Sequence, residues 1–265
     1  MDDRKRGLLR GAVYGFAVGD ALGVPFEMHE RGSFCCTGMT GYGTWDKPAG
    51  TWSDDTGMML ATLHSLKMNF WRIDLFDIMM QFQNWYHHGM YAIDGDVFGV
   101  GKTVSAALSR FDGVNPVCGI DDIRQNGNGA LMRILPLAFA DDADDDKIAQ
   151  VAEITHGHKI STECCIRYIH IARSLMDGSY PELPYSFPIR SSAYAADTFN
   201  AVMYCISSSC TYKDSVLKAV NLGGDTDTIA ALTGGLAGIA YGPDGIPSEW
   251  IDALRGRNLI EEYIC

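Results

Sequence analysis

Two acidic clusters that are rich in hydroxyl groups lie near opposite ends of the chain, each just before an apolar pattern of helical spacing. They occupy residues 52–56 (WSDDT) and 223–228 (GGDTDT). Aspartate and serine are common at helix starts, where the helix dipole favours negative charge, so either cluster alone is explained as a helix cap. Four carboxylates brought together at two helix starts would repel one another unless cations lie among them. The pair therefore predicts a fold that brings the clusters together around metal ions.

The rest of the sequence favours an all-helical protein. Apolar residues recur at helical spacing over much of the chain, including residues 8–17, 58–67, 130–140 and 226–240, whereas alternating strand patterns are nearly absent. Pro136 must kink or end the helix predicted at 130–140. Heptads are not sustained, which excludes a long coiled coil. We predict an all-α fold, a single-domain orthogonal helical bundle that spans residues 1–265.

Composition and charge exclude several classes of protein. The net charge of −12 argues against nucleic-acid binding. The apolar runs are short and interrupted, and the N-terminus lacks the long apolar stretch of a secretory signal, so no membrane partner is expected. The 8 cysteines form no CxxC pair, so neither a zinc site nor a disulfide framework is predicted. We expect a cytoplasmic monomer.

The two clusters offer ligands that hard divalent cations prefer. Magnesium and manganese favour six-coordinate oxygen sites that retain some water. One hydroxyl group and two carboxylates are offered by Ser53, Asp54 and Asp55, and the same set is offered by Asp225, Asp227 and Thr228. An EF-hand that begins at Asp225 is excluded, because its sixth position is not glycine and no glutamate closes a twelve-residue loop. A centre of two divalent cations, Mg²⁺ or Mn²⁺, is the leading hypothesis.

Five stretches, taken in order, resemble the ADP-ribosylglycohydrolase family. They are residues 15–27 (GFAVGDALGVPFE), 52–56, 127–133 (GNGALMR), 155–158 (THGH) and 223–228. Each stretch alone is a weak signal, but five in the right order are specific. The resemblance implies an all-α fold, a binuclear magnesium or manganese centre, and hydrolysis of the glycosidic bond at the anomeric carbon of ADP-ribose.

The resemblance also implies roles for individual residues. The metal ligands would be Ser53, Asp54, Asp55, Asp225, Asp227 and Thr228. Serine stands at position 53 where relatives commonly have threonine, and it keeps the hydroxyl ligand. Glu27 would be the acid/base group or a movable lid residue. Contacts to ribose or diphosphate would come from Gly101, Asn128 and His156. The structural alternatives are a surface glutamate, a bare Gly-x-Gly, a turn asparagine and a structural histidine.

One stretch departs from the family pattern. Residues 98–101 read FGVG, where many relatives have Phe-Asp-Ile-Gly. The aspartate, which is assigned a catalytic role on the ribose in some relatives, is therefore Gly99 in this chain. Asp94 or Asp96 would have to replace it through a shifted loop.

Three functions follow as hypotheses. The first is metal-dependent hydrolysis that releases ADP-ribose from a protein side chain, with arginine the expected linkage, or from a small-molecule conjugate, and so reverses mono-ADP-ribosylation. The second is a catalytically weak or inactive relative that binds ADP-ribose, which the substitution at Gly99 favours. The third is a class I isoprenoid synthase. The sequence disfavours this function, because no third aspartate completes a DDxxD motif after Asp54 and Asp55.

Overall fold

The computed structural model describes residues 1–264, and its regular elements there are helices with three isolated β-bridges. The α-helices are α1 (Asp3–Gly23), α2 (Asp54–Met68), α3 (Leu75–His88), α4 (Lys102–Arg110), α5 (Asp145–Glu153), α6 (Lys159–Met176), α7 (Ala195–Ser207), α8 (Tyr212–Val220), α9 (Thr226–Tyr241), α10 (Ser248–Ala253) and α11 (Arg257–Ile264). The predicted all-α class is confirmed.

The described chain divides into two compact units. The terminal unit contains Met1–Ser53, Ala172–Ala193 and the described residues from Asp197 onward. The central unit contains Asp54–Ile171 and Tyr194–Ala196. The division falls between the two halves of the first acidic cluster, because Ser53 ends one segment and Asp54 begins the next.

The terminal unit is built on a close pairing of α1 with α9. Asp2 caps the start of α1 by accepting a hydrogen bond from the Lys5 backbone N–H at 2.7 Å. Farther along, a methyl group on Gly15 would lie 2.3 Å from the Gly234 carbonyl oxygen, so only glycine allows this approach. The same surface of α1 carries other small residues that face α9, namely Gly11, Gly19 and Gly23.

This seam fixes the relative positions of two helix ends. A Cβ atom on Gly23, at the end of α1, would lie 2.4 Å from the Cα atom of Asp227 in the first turn of α9. The Thr226 hydroxyl also donates to the Gly23 carbonyl oxygen at 2.8 Å. The backbone at the end of α1 therefore lies directly against the start of α9, where the second acidic cluster is located.

In the central unit, α2 is buried along most of its length and packs on α3. Gly57 leaves room for the Trp85 indole, whose Nε1 atom would lie 2.6 Å from a Cβ atom at position 57. The helix predicted at residues 130–140 is wrong: two 3-10 turns, Leu131–Arg133 and Leu135–Phe139, replace it. Pro136 accounts for the difference, because it lacks the N–H group that an α-helix requires.

None of the helices in residues 1–264 is long and apolar enough to cross a membrane. The seven cysteines in this range all have free thiols.

Candidate metal centre

Three carboxylates of the terminal unit meet at the start of α9. Asp225 immediately precedes the helix, Asp227 lies in its first turn, and Glu27 follows the 3-10 turn Val24–Phe26 at the end of α1. One carboxylate oxygen of each residue lies within 4.8 Å of those of the other two. Asp227 is buried, and the other two are partly exposed. The structure thus brings together three of the residues predicted from sequence, and their oxygen atoms are spaced closely enough to share cations.

Asp20 extends this cluster from the α1 side. It is fully buried, and one of its carboxylate oxygens lies within 4.8 Å of one from Asp227. Both Asp20 oxygens accept hydrogen bonds from the Ser53 backbone N–H, at 3.0 and 3.1 Å. The sequence analysis gave Asp20 no role. A usable signal was present, since Asp20 is a lone acidic residue within the apolar stretch from Ala12 to Leu22.

The electrostatics of the cluster favour a bound cation. Burial raises the pKa of the Glu27 carboxyl to about 7, in opposition to a hydrogen bond from Trp45 that lowers it. The negative charges of Asp225 and Asp20 make a smaller contribution to the same upward shift. A divalent cation among these oxygens would relieve the repulsion and favour the ionised carboxylates. The donor set, all oxygen and predominantly anionic, therefore fits a hard metal ion.

A neighbouring loop holds the Glu27 side chain in place. The Trp45 indole N–H donates to Glu27 Oε2, and the Thr44 hydroxyl donates to the Glu27 carbonyl oxygen at 2.5 Å. This loop contains the 3-10 turn Gly43–Trp45. The residues on either side of the turn, Tyr42 and Asp46, have positive φ angles of 65° and 51°. Backbone strain of this kind persists where surrounding contacts impose it. The Trp45 contact was not predictable from local spacing, because the tryptophan lies 18 residues beyond its partner.

The first acidic cluster is buried at the start of α2. Ser53, Asp54 and Asp55 have exposed fractions of only 4%, 6% and 1%. The two aspartates occupy the first turn of α2, where the helix dipole favours their ionised forms. Burial of two adjacent carboxylates is expensive without compensating charge or hydrogen bonds. Their role as metal ligands stays a prediction from the motif.

Asp225 and Thr228 also occupy the expected positions at the start of α9. Asp225 is the N-cap residue by backbone position, but its side chain makes no capping hydrogen bond. Its carboxylate belongs to the cluster with Glu27 and Asp227. The buried Thr228 backbone N–H donates to Asp227 Oδ1 at 2.9 Å, which orients that carboxylate. Metal ligation by the Thr228 hydroxyl stays a prediction.

In the central unit, Asn128 and His156 are buried near each other. A Cβ atom on Gly129, the residue after Asn128, would lie 3.0 Å from His156 Cε1. Burial lowers the pKa of His156 to about 3, and the Arg133 charge lowers it further. The imidazole is therefore neutral near pH 7 and offers one N–H donor. Thr155 Oγ1 lies 2.8 Å from its Nδ1 atom.

The loop that departs from the family pattern has a backbone suited to glycine. Gly99 has a φ angle of +84°, a conformation that costs an aspartate free energy. Asp94 and Asp96 are exposed, so the structure does not identify either as a replacement. Gly101 is the exposed N-cap of α4, and its Cα faces open space. Its contact with diphosphate stays a prediction.

Comparisons with known proteins identify a family and a fold. A sequence model of the family described as ADP-ribosylglycohydrolase matches residues 1–187 and 181–264. The chain is 31% identical over 292 residues to ADP-ribosylarginine hydrolase Tri1 of Serratia proteamaculans, with 96% of this chain and 78% of that protein covered. It is 32% identical over 272 residues to ADP-ribosyl-dinitrogen reductase glycohydrolase of Rhodospirillum rubrum, with 92% and 89% covered.

A solved structure shows the same fold. It is described as an ADP-ribosylglycohydrolase-related protein complex, and it superposes with a TM-score of 0.84 at 28% sequence identity. The alignment covers 99% of this chain and 97% of that chain. The similarity therefore extends over nearly the full length of both proteins.

Proposed function

The chain belongs to the ADP-ribosylglycohydrolase family, a family of glycohydrolase enzymes, and from this premise we propose that it releases ADP-ribose from modified arginine side chains by metal-dependent hydrolysis. The observation that carries the proposal is the meeting of Glu27, Asp225 and Asp227 within 4.8 Å at the start of α9. One relative of about 30% identity is named for ADP-ribosylarginine, which supports arginine as the modified residue. Another is named for ADP-ribosyl-dinitrogen reductase, which supports a protein substrate.

The proposed centre holds two divalent cations, Mg²⁺ or Mn²⁺. Its ligands are the carboxylates and hydroxyls of the two motifs, namely Ser53, Asp54, Asp55, Asp225, Asp227 and Thr228. When bound, such ions orient ribose hydroxyls and lower the pKa of a bound water. The close approach of the Glu27, Asp225 and Asp227 carboxylates supports this assignment, because a cation would offset both their burial and their mutual repulsion.

The protein side chains would transfer protons and hold the substrate. Glu27 accepts a proton from the attacking water and returns one to the leaving guanidine nitrogen. Trp45 holds its carboxylate at the required position. The buried neutral His156 donates a hydrogen bond to the ribose or diphosphate, with Asn128 and Gly101 as further contacts. The His156 imidazole is uncharged at neutral pH because its pKa is lowered.

A panel of conjugates tests this function. Arginine-linked, serine-linked and O-acetyl-linked ADP-ribose would each be incubated with the protein and Mg²⁺ or Mn²⁺, and free ADP-ribose would be measured. Release from the arginine conjugate, and its loss under chelation, are the expected results. Faster release from a serine or small-molecule conjugate would overturn the substrate, and release that is unaffected by chelation would overturn the metal centre.

A second candidate is a relative that binds ADP-ribose without turning it over. Gly99 favours it, since an aspartate of proposed catalytic importance in relatives is missing and the local φ angle of +84° suits glycine. The same panel separates the two, because this candidate predicts ADP-ribose binding by calorimetry with no release from any conjugate.

The proposal also includes the setting in which the enzyme works. We expect residues 1–265 to act as a single family domain, as a monomer, in the cytoplasm. The family match extends from residue 1 to 264, and the seven described free thiols suit a reducing compartment.

A further inference from the structure

The loop that leads into the second acidic cluster is bonded on its backbone to the segment that follows Glu27. We call residues 222–225 the ligand loop, since it ends at Asp225. The Met28 N–H donates to the Gly224 carbonyl oxygen at 2.7 Å, and the Gly224 N–H donates to the His29 carbonyl oxygen at 2.8 Å. The reciprocal pair fixes this loop relative to residues 28 and 29.

A second segment of the terminal unit bonds to the same loop. The Asp225 N–H donates to the Ser191 carbonyl oxygen at 2.9 Å. A Cβ atom on Gly224 would lie 2.1 Å from that oxygen, and Gly224 has a φ angle of +72°. The absence of a side chain at Gly224 therefore lets the Ser191 carbonyl oxygen lie against the backbone of the ligand loop, where it accepts the Asp225 hydrogen bond.

Arg31 connects both segments to the ligand loop. Its Nε donates to the Leu222 carbonyl oxygen at 2.8 Å, and its Nη2 donates to the Ile189 carbonyl oxygen at 3.0 Å. One guanidinium therefore links residue 31 to the first residue of the loop and to the segment that supports Asp225. The planar fork of arginine holds two such donors at a fixed angle, which a lysine ammonium group cannot do.

The segment that carries Arg31 is itself well anchored. The rings of Phe26 and Phe34 stack with centroids 4.6 Å apart and planes 13° apart, and His29 packs edge-on against both. The Ser33 N–H donates to the Glu30 carbonyl oxygen at 3.1 Å. The origin of the Arg31 side chain is therefore fixed, although the side chain itself lies at the surface.

We propose that Arg31 is a positioning residue of the metal centre, which holds the ligand loop at the distance from Glu27 that cation binding requires. The inference rests on the proposed function, because it assumes that Asp225 and Asp227 bind a divalent cation. Arg31 acts through the carbonyl groups of Leu222 and Ile189 and touches no reacting atom. Its removal loosens the loop without removing any carboxylate from the cluster.

The test measures Mn²⁺ affinity by isothermal titration calorimetry on the full chain. Arg31→Met should weaken binding about 10-fold, the lower end of the range for groups that orient metal ligands, because the side chain is exposed. Arg31→Lys should bind with intermediate affinity, since it can still donate to one carbonyl group. Unfolding curves with urea would confirm that each variant is folded.

Arg4→Ala is the matched control. Arg4 also belongs to the terminal unit and donates through Nη2 to a distant backbone carbonyl, that of Met176. It should leave Mn²⁺ affinity unchanged. Equal losses in the Arg31 and Arg4 variants, or wild-type affinity in Arg31→Met, would overturn the inference.

Failure of the proposed function would show in a different measurement. A wild-type protein that binds Mn²⁺ but releases no ADP-ribose would count against the hydrolase, and a weakened Arg31→Met would still support the positioning role. A wild-type protein that binds no Mn²⁺ would overturn both.

Discussion

The central unit buries a guanidinium among groups of the protein itself, whereas the terminal unit buries carboxylates among other carboxylates. Arg133 is fully buried, and its Nη1 and Nη2 donate to the carbonyl oxygens of Gly129 and Val151 at 3.2 and 3.3 Å. The guanidinium carbon also lies 4.5 Å from the centroid of the Phe82 ring. Burial lowers the pKa of Arg133 to about 9, so it remains charged near pH 7.

The contrast separates a buried charge that the protein itself offsets from a cluster of carboxylates that lie close to one another. Burial opposes the Arg133 charge, but two carbonyl dipoles and an aromatic face of the same unit offset part of this cost, and the guanidinium stays charged near pH 7. Burial also opposes the charge of Glu27 and raises its pKa, but the nearby groups Asp225 and Asp20 are negative and add to the cost instead of offsetting it. A cluster that opposes its own ionisation is a candidate for function rather than for stability.

The largest effect is expected from Asp227→Asn. ADP-ribose release should fall by more than about 100-fold, because loss of a group that merely supports a ligand already costs about 10- to 100-fold in metal sites. In chelator, the melting temperature should stay equal or rise, since one repelling charge is removed. Enzyme assay and calorimetry check the two parts. A variant that is stable and fully active would show that the Asp227 carboxylate is not needed for hydrolysis.

Asp55→Ala should lower ADP-ribose release by a similar factor, because the motif assigns Asp55 to the same metal centre. The same enzyme assay measures this effect.

Glu27→Gln should slow hydrolysis about 100-fold or more, the usual contribution of a general acid/base group. ADP-ribose affinity should change far less, because the amide keeps the size of the side chain. Single-turnover rates and calorimetric binding constants give the two numbers. A variant that loses affinity and keeps its rate would make Glu27 a binding residue.

Arg133→Met should lower the free energy of unfolding by about 1–3 kcal/mol, since two buried carbonyl groups lose their donor. The loss should be the same with and without Mn²⁺, as expected for a structural charge. Urea denaturation measures it. Arg124→Met is the control from the same unit, because Arg124 pairs with Asp122 at the surface and its removal should have no measurable effect.

His156 should contribute a smaller, pH-dependent effect. Its pKa falls from 6.5 in the unfolded chain to about 3 when folded, so over that interval the unfolded state binds a proton that the folded state does not. Stability is therefore lost as the pH falls below 6.5. Between about pH 6 and pH 4, wild type should lose roughly 1 kcal/mol per pH unit more than His156→Gln. Parallel curves for the two proteins would show that His156 is charged when folded. His170→Gln, at the surface of α6, provides the control.

Residues close in sequence were predictable, and partners far apart were not. The acidic clusters and the helices behind them follow from local spacing, and the motif order identified Glu27, Asp225 and Asp227 as members of one site. Asp20 carried a local signal as a lone acidic residue in an apolar stretch, but its partners and the partner of Trp45 depend on tertiary packing. The 3-10 turns at Leu131–Arg133 and Leu135–Phe139 were misjudged because apolar periodicity outweighed Pro136 in the prediction.

The glycines of α1 that face α9 make the clustered carboxylates sensitive to changes at a distance. Gly15 lies eight residues before Gly23, roughly 12 Å along α1 at the usual helical rise. A single methyl group at Gly15 would act as a spacer between α1 and α9, and the separation of Asp20 from Asp227 would widen with it. We therefore expect substitutions in this unreactive stretch to disturb the carboxylate cluster while every acidic side chain remains intact.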